Sequence, residues 1–137
     1  MRQITLSCLM LLVGFASHGE AFAQYARERS DVRFALSGAT IVLRRHYDIN
    51  DDCTSGPIPR LRVVTPPKLG RLLTRVSTRN PIQSTNPQRS ACNKVRVRTL
   101  EVRYRARPGQ RGEDLVVYNL IRGGSRLWRE EFVIHVE

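Results

Sequence analysis

From Val32 to Val136 the chain never sustains a helical period. Short runs rich in Val, Ile, Leu and Tyr alternate with polar residues instead, and clusters of Pro, Gly, Asn and Ser separate them. Alternation puts successive side chains on opposite faces of an extended strand, so each run can bury one face and wet the other. Many short runs with turn signals between them specify a sandwich or barrel. The expected strands are Val32–Leu36, Thr40–Tyr47, Arg60–Val64, Arg71–Thr78, Lys94–Arg105, Leu115–Arg122 and Arg126–Val136. Gly123-Gly124 joins the last two as a hairpin, because glycine reaches the positive φ that tight hairpin turns need.

The alternation also assigns faces. Val116, Tyr118 and Leu120 share one face of their strand, and Trp128, Phe132, Ile134 and Val136 share one face of the last. In Lys94–Arg105 the phase changes, with Val95 and Val97 on one parity and Leu100, Val102 and Tyr104 on the other. A one-residue slip between Val97 and Leu100, a β-bulge, accounts for that change.

Ahead of these strands lies an export signal. Arg2 supplies the positive charge, Ile4 to Phe15 the apolar run, and Ala21-Phe22-Ala23 the small-x-small cleavage pattern. The run is too short to span about 30 Å of hydrocarbon as a helix. Cys8 precedes most of it, which excludes a lipid-acceptor role. Cleavage after Ala23 would remove 23 of 137 residues and leave 114, one domain's worth. Residues 1–23 are thus a signal peptide, 24–30 a short charged segment, and 31–137 one folded domain; the compartment is the periplasm or the exterior, and no transmembrane span is expected. In such a compartment Cys53 and Cys92 are expected to pair. The bridge would close a 39-residue span and stabilise by about 4 kcal/mol.

One stretch carries a family likeness. Tyr104, Pro108, Gly109, Gly112, Asp114 and Tyr118, with Val116 and Leu120, match Tyr-x-Pro-x-Pro-Gly-aromatic-x-Gly-x-Asp-x-Phe-x-Tyr-x-Val. That pattern resembles a signature of bacterial Ig-like and cadherin-like repeat domains. Upstream, Pro67-Lys-Leu-Gly70-Arg-Leu resembles the turn that opens an earlier strand of the same domains. The likeness covers residues 60–137 and implies an antiparallel Ig-like/cadherin-like β-sandwich of about seven strands. Ala106 and Gln110 depart from it, standing where the family has a proline and an aromatic. The physical content of the motif is structural. Pro108, Gly109 and Gly112 shape a loop, Asp114 accepts backbone N–H bonds, and Tyr118 buries a ring whose hydroxyl needs a partner.

Chemistry-bearing residues are sparse. Asp48, Asn50, Asp51 and Asp52 resemble the Asp-x-Asn-Asp-Asn calcium segment of cadherins, and their oxygens are hard ligands. The partner acidic motifs of such a site are missing, so the segment is read as a solvated acidic loop and no metal or cofactor is assigned. His46 and His135, the two histidines after the signal, read as exposed strand residues. No Ser–His–acid set, zinc spacing or phosphate loop accompanies them, which points away from an enzyme.

Charge is the functional hint. The chain carries 23 Lys+Arg against 12 Asp+Glu, a net +11, and only Lys68 and Lys94 are lysines. Losing Arg2 and Glu20 with the signal leaves that net charge unchanged. Guanidinium forks suit carboxylates, phosphates and sulfates. Arg96, Arg98, Arg103, Arg105, Arg107, Arg111, Arg122 and Arg126 are the candidate anion-binding residues, forming one basic sheet face if their strands are neighbours. For an exported module the matching partners are an anionic polysaccharide, a lipopolysaccharide or an acidic protein, not nucleic acid. The alternative is an accessory domain that docks another protein through a sheet edge.

Overall fold

The computed structural model describes residues 27–80, 85 and 87–137. The expected signal peptide and residues 24–26 lie outside the described residues. Seven strands form two sheets: β1 (Arg27–Ala35), β2 (Thr40–Tyr47), β3 (Arg60–Thr65), β4 (Gly70–Arg79), β5 (Val97–Ala106), β6 (Gly112–Arg122) and β7 (Ser125–Val136). A single helical turn, α1 (Pro87–Ser90), runs into a 3₁₀ turn over Ala91–Lys94. One sheet has the order β1-β7-β6-β3 and the other β2-β5-β4. This is an all-β sandwich of two sheets, with β1, β3, β6 and β7 in one and β2, β4 and β5 in the other.

All seven expected strands form, with boundaries shifted by a few residues. The first begins at Arg27 rather than Val32, so Arg27–Ser30 of the charged segment belong to a strand. It also departs from the antiparallel expectation. The Ser37-Gly38 turn sends the chain across to the opposite sheet, and β1 pairs with β7 in parallel, from Arg27↔Trp128 to Ala35↔Val136. The β6–β7 hairpin closes as read, with Arg122 opposite Ser125 and both Gly123 and Gly124 at positive φ.

The core lies between the sheets. Leu43, Leu100, Val102, Tyr104, Val116, Tyr118, Leu120, Phe132 and Ile134 are its buried apolar residues, together with Ala35, Ala106 and Val136. Burying such side chains contributes roughly 1.5–3 kcal/mol each for the larger ones. Trp128 packs against this cluster from its edge.

The expected bulge in β5 is absent. Its ladder with β4 runs unbroken from Val97↔Arg79 to Ala106↔Gly70. The phase change has another cause: β5 is central and buried on both faces. Leu100, Val102 and Tyr104 face the main core, while Val97 joins Cys92, Ile49, Cys53 and Val95 in a second, smaller core on the outer side. A strand covered on both sides has no reason to alternate. Register shifts occur instead in β2 between Val42 and Arg44, in β3 between Val63 and Thr65, and in the β6–β7 ladder at Leu120/Ile121.

The small core is stapled by the Cys53–Cys92 disulfide, whose Cα atoms lie 5.3 Å apart. Cys53 sits at positive φ in the turn after β2. Ser55 anchors the same loop to β5 by accepting the Arg98 amide at 2.8 Å.

The motif residues form one buried assembly. Asp114, 2% exposed, accepts the backbone N–H groups of Lys68 at 2.7 Å and Leu69 at 2.8 Å, and the Tyr104 hydroxyl at 2.9 Å. It therefore closes the turn before β4 rather than its own loop. Gly70 follows that turn because no side chain fits: a Cβ there would lie 2.3 Å from Tyr104 Cζ and 2.6 Å from the Arg105 carbonyl oxygen. The Pro108-Gly109 loop is held by a different group, Ser37 Oγ, which accepts the Gly109 amide at 2.7 Å. Burial and the hydrogen bond to Asp114 push the Tyr104 phenol well above its ordinary range.

Candidate functional site

The outer face of the β2-β5-β4 sheet is built by register. Residues directly opposite in a ladder share a face, so Arg45, Glu101 and Arg75 form one cross-sheet row. Val42, Arg103 and Leu73 form the next, and Thr40, Arg105 and Arg71 the one beyond. Toward the other end, Tyr47, Thr99 and Ser77 precede Val97 and Arg79. Arg45, Arg71, Arg75, Arg79, Arg103 and Arg105 therefore project from one surface.

One carboxylate organises part of this array. Glu101 is buried at 3% exposure, and its Oε2 accepts Arg45 Nε at 2.9 Å. Arg79 and Arg103 each approach it at 3.6 Å. Among the described residues, Arg71, Arg75, Arg96 and Arg105 form no ion pair. Arg71 and Arg105 stand opposite each other across the ladder, a like-charge pair that costs stability. Next to Glu101 the face dips into an open depression of about 940 Å³, lined by Arg45, Tyr47, Arg75, Ser77, Thr78, Arg79, Asn80 and Arg96. The lining holds four guanidinium groups, hydroxyl and amide donors, and no acid.

The sequence nominated a different arginine set, and the structure divides it. β5 does not neighbour the terminal hairpin: β5 lies in one sheet, β6 and β7 in the other. Arg103 and Arg105 lie on the arginine face, and Arg96 lines the depression, with its Nη2 donating to the Thr78 carbonyl at 2.9 Å. Arg98 has the parity of the core-facing residues and sits exposed at the start of β5. Arg107 and Arg111 occupy the loop after β5, where Arg107 donates to the Lys68 carbonyl at 3.3 Å. Arg122 and Arg126 flank the hairpin turn of the opposite sheet. Arg45, Arg71, Arg75 and Arg79 were missed. The signal for the last three was present, since they share parity in β4, but only the ladder places them beside β5.

Three residues of the acidic loop after β2, Asp48, Asn50 and Asp52, have partners. Asp48 pairs with Arg122 and caps the Ile49 amide at 3.1 Å. Asp52 Oδ1 accepts from the Thr54 amide and hydroxyl, and Asn50 donates to Thr54 Oγ1 at 2.8 Å. Asp51 is exposed. The described residues contain no group of three or more His, Cys, Asp or Glu that could hold a metal ion.

His46 is not the exposed residue its position suggested. It is buried, and its Nε2 lies 3.1 Å from the Tyr118 hydroxyl. Burial, with Arg44 and Arg29 nearby, lowers its pKa from 6.5 to about 4. Burial, then the Glu130 charge, raises the Tyr118 phenol above its ordinary range. Glu130 is the polar interruption of the inward face of β7 and is fully buried. Its partners are Arg44 Nε at 3.1 Å and Arg29 Nη1 at 3.7 Å, and Asp31 shares Arg44 at 3.1 Å. Burial raises the Glu130 pKa against the pull of those two arginines.

No family model matches the chain, and no curated protein sequence matches it. Among solved structures, the solution structure of Amebosin aligns at 11% identity over 81% of this chain and 97% of that one, with a TM-score of 0.40. Likeness at that level bears on neither family nor function. None of the described helices is long and apolar enough to cross a membrane.

Proposed function

We propose that this protein is a non-enzymatic, exported binding module whose β2-β5-β4 sheet holds an anionic envelope polymer, such as an acidic polysaccharide or lipopolysaccharide. One observation carries the reading: a depression lined by four arginines and no acid, on a sheet face where six arginines project around one buried carboxylate. Guanidinium groups bind carboxylate, phosphate and sulfate by charge and by paired hydrogen bonds together. The facing pair Arg71–Arg105 is a cost that a bound anion would relieve. The disulfide suits an oxidising compartment. The likeness of the Tyr104–Leu120 stretch to Ig-like repeat domains fits a scaffold role, with the chemistry confined to the surface.

Two charge-matched variants test this. Arg75→Glu/Arg79→Glu alters the depression, and Arg111→Glu/Arg126→Glu alters exposed arginines elsewhere by the same net charge. On a heparin or lipopolysaccharide resin the first variant should elute at much lower salt than the second. Elution of both at one salt concentration would show that bulk charge, not this face, governs binding.

A second reading, docking of a protein at a sheet edge, is favoured by the edge strand β1. Val32 and Phe34 in it and Leu36 just beyond are exposed apolar residues, with Phe34 at 65%. A partner whose capture survives high salt and is lost in Val32→Ser/Phe34→Ser would support that reading.

A further inference from the structure

Around the edge of β2 from the arginine depression, a second cleft of about 440 Å³ opens between the sheets, beside the β6–β7 hairpin. Its volume falls in the range of small-ligand sites. Arg45 and Tyr47 line both hollows, so the two adjoin. The second half is chemically different from the first. Pro57, Pro59 and Leu127 supply apolar wall, and Trp128 an aromatic ring. Arg29 and Arg122 supply cations.

These cations are positioned by their partners. Arg29 lies over the Trp128 ring at 3.6 Å from its centroid and reaches Glu130 beneath. Arg122 is held through one terminal nitrogen by Asp48, which also lines the cleft. A guanidinium has five N–H donors, so each retains donors for a further acceptor. His46, in the lining, stays neutral over the physiological range, so the positive charge of the cleft comes from its arginines.

An apolar wall joined to fixed guanidinium groups matches a ring with one apolar face and a carboxylate on its rim. We propose that the cleft receives a uronic acid unit, the carboxylate-bearing sugar of an acidic polysaccharide, while the adjoining depression holds the following residues of the same chain. The inference rests on the polymer-binding reading above. It adds a named subsite and a preference for carboxylated sugar over simple anions.

Trp128 is the chain's single tryptophan, so tryptophan emission reports on this one cleft-lining residue. Digalacturonate titrated into the folded, disulfide-bonded protein should change that emission saturably. A neutral disaccharide and inorganic sulfate at equal ionic strength should leave it flat. Arg122→Ala, at an exposed position, should weaken the response about tenfold, the loss expected for one charge-assisted hydrogen bond. Arg111→Glu/Arg126→Glu, outside both hollows, should keep both the digalacturonate response and polymer retention. An unchanged emission in a protein that still binds polymer would overturn the subsite and leave the depression standing. A digalacturonate response without polymer retention would do the reverse. An equal response to sulfate would reduce the cleft to a simple anion site, and an equal response to the neutral disaccharide would refute carboxylate recognition.

Discussion

Replacing Asp114 with alanine is expected to cost about 3–5 kcal/mol, far more than replacing its most conspicuous partner. The carboxylate accepts three bonds from elsewhere in the fold: the Lys68 and Leu69 amides and the Tyr104 hydroxyl. Bonds to a charged acceptor contribute about 1.5–3 kcal/mol each. The simple sum overshoots, because the three share one network and because water can reach the part-buried Lys68 and Leu69 amides once the carboxylate is gone. Tyr104→Phe removes one of the three bonds and leaves the backbone anchors, so about 1–2 kcal/mol is expected. Asp114→Asn should fall between alanine and wild type. It keeps an acceptor oxygen, loses the charge and turns an amide toward N–H donors. Urea unfolding at neutral pH with the disulfide intact measures all three, provided the m-value is constant. A loss below about 1 kcal/mol for Asp114→Ala, or an equal loss for Tyr104→Phe, would refute the assignment of this residue as a backbone anchor. On a typical total of ~5–15 kcal/mol, the expected loss leaves a marginal fold.

Gly70→Ala should destabilise by about 3 kcal/mol or more in the same assay, because the added methyl meets both the Tyr104 ring and the Arg105 carbonyl. Removing the disulfide in Cys53→Ser/Cys92→Ser should cost about 4 kcal/mol, read as a lower denaturant midpoint. His46 sets an acid dependence. Its folded pKa is depressed, so the unfolded chain takes the proton first, and stability is full above pH 6.5 and falls by about 3 kcal/mol as pH drops toward 4. His46→Gln should flatten that slope in thermal melts across pH 4–7. Glu130 acts in the opposite sense, since a raised carboxyl favours the fold as pH falls toward 4.5, so Glu130→Gln should steepen the loss.

The seven strands, the glycine hairpin and the cysteine pair were legible in the sequence because each depends on local chemistry. Alternation is a property of neighbouring residues, glycine reaches positive φ at the least cost, and only two cysteines follow the expected signal. The inward Glu130 was less legible: it breaks the apolar series Trp128, Phe132, Ile134 and Val136, and its cover comes from Arg29 on β1 and Arg44 on β2. Both strands are distant in sequence from β7. The phase of β5 misled for a related reason. A single strand facing two cores looks, in one dimension, like a strand with a slip.

The arginine surface marks the same boundary. The sequence by itself determined that Arg103 and Arg105 share one face of their strand, because side-chain direction within a strand has a period of two. It could not determine which strands lie side by side. Ladder pairing is a long-range choice, settled by which faces fit together around the core, and it placed β4 and β2 next to β5 and sent the terminal hairpin to the other sheet. Only the tertiary structure therefore decided that Arg45, Arg75, Arg79 and Arg103 converge and that Arg122 and Arg126 stand apart.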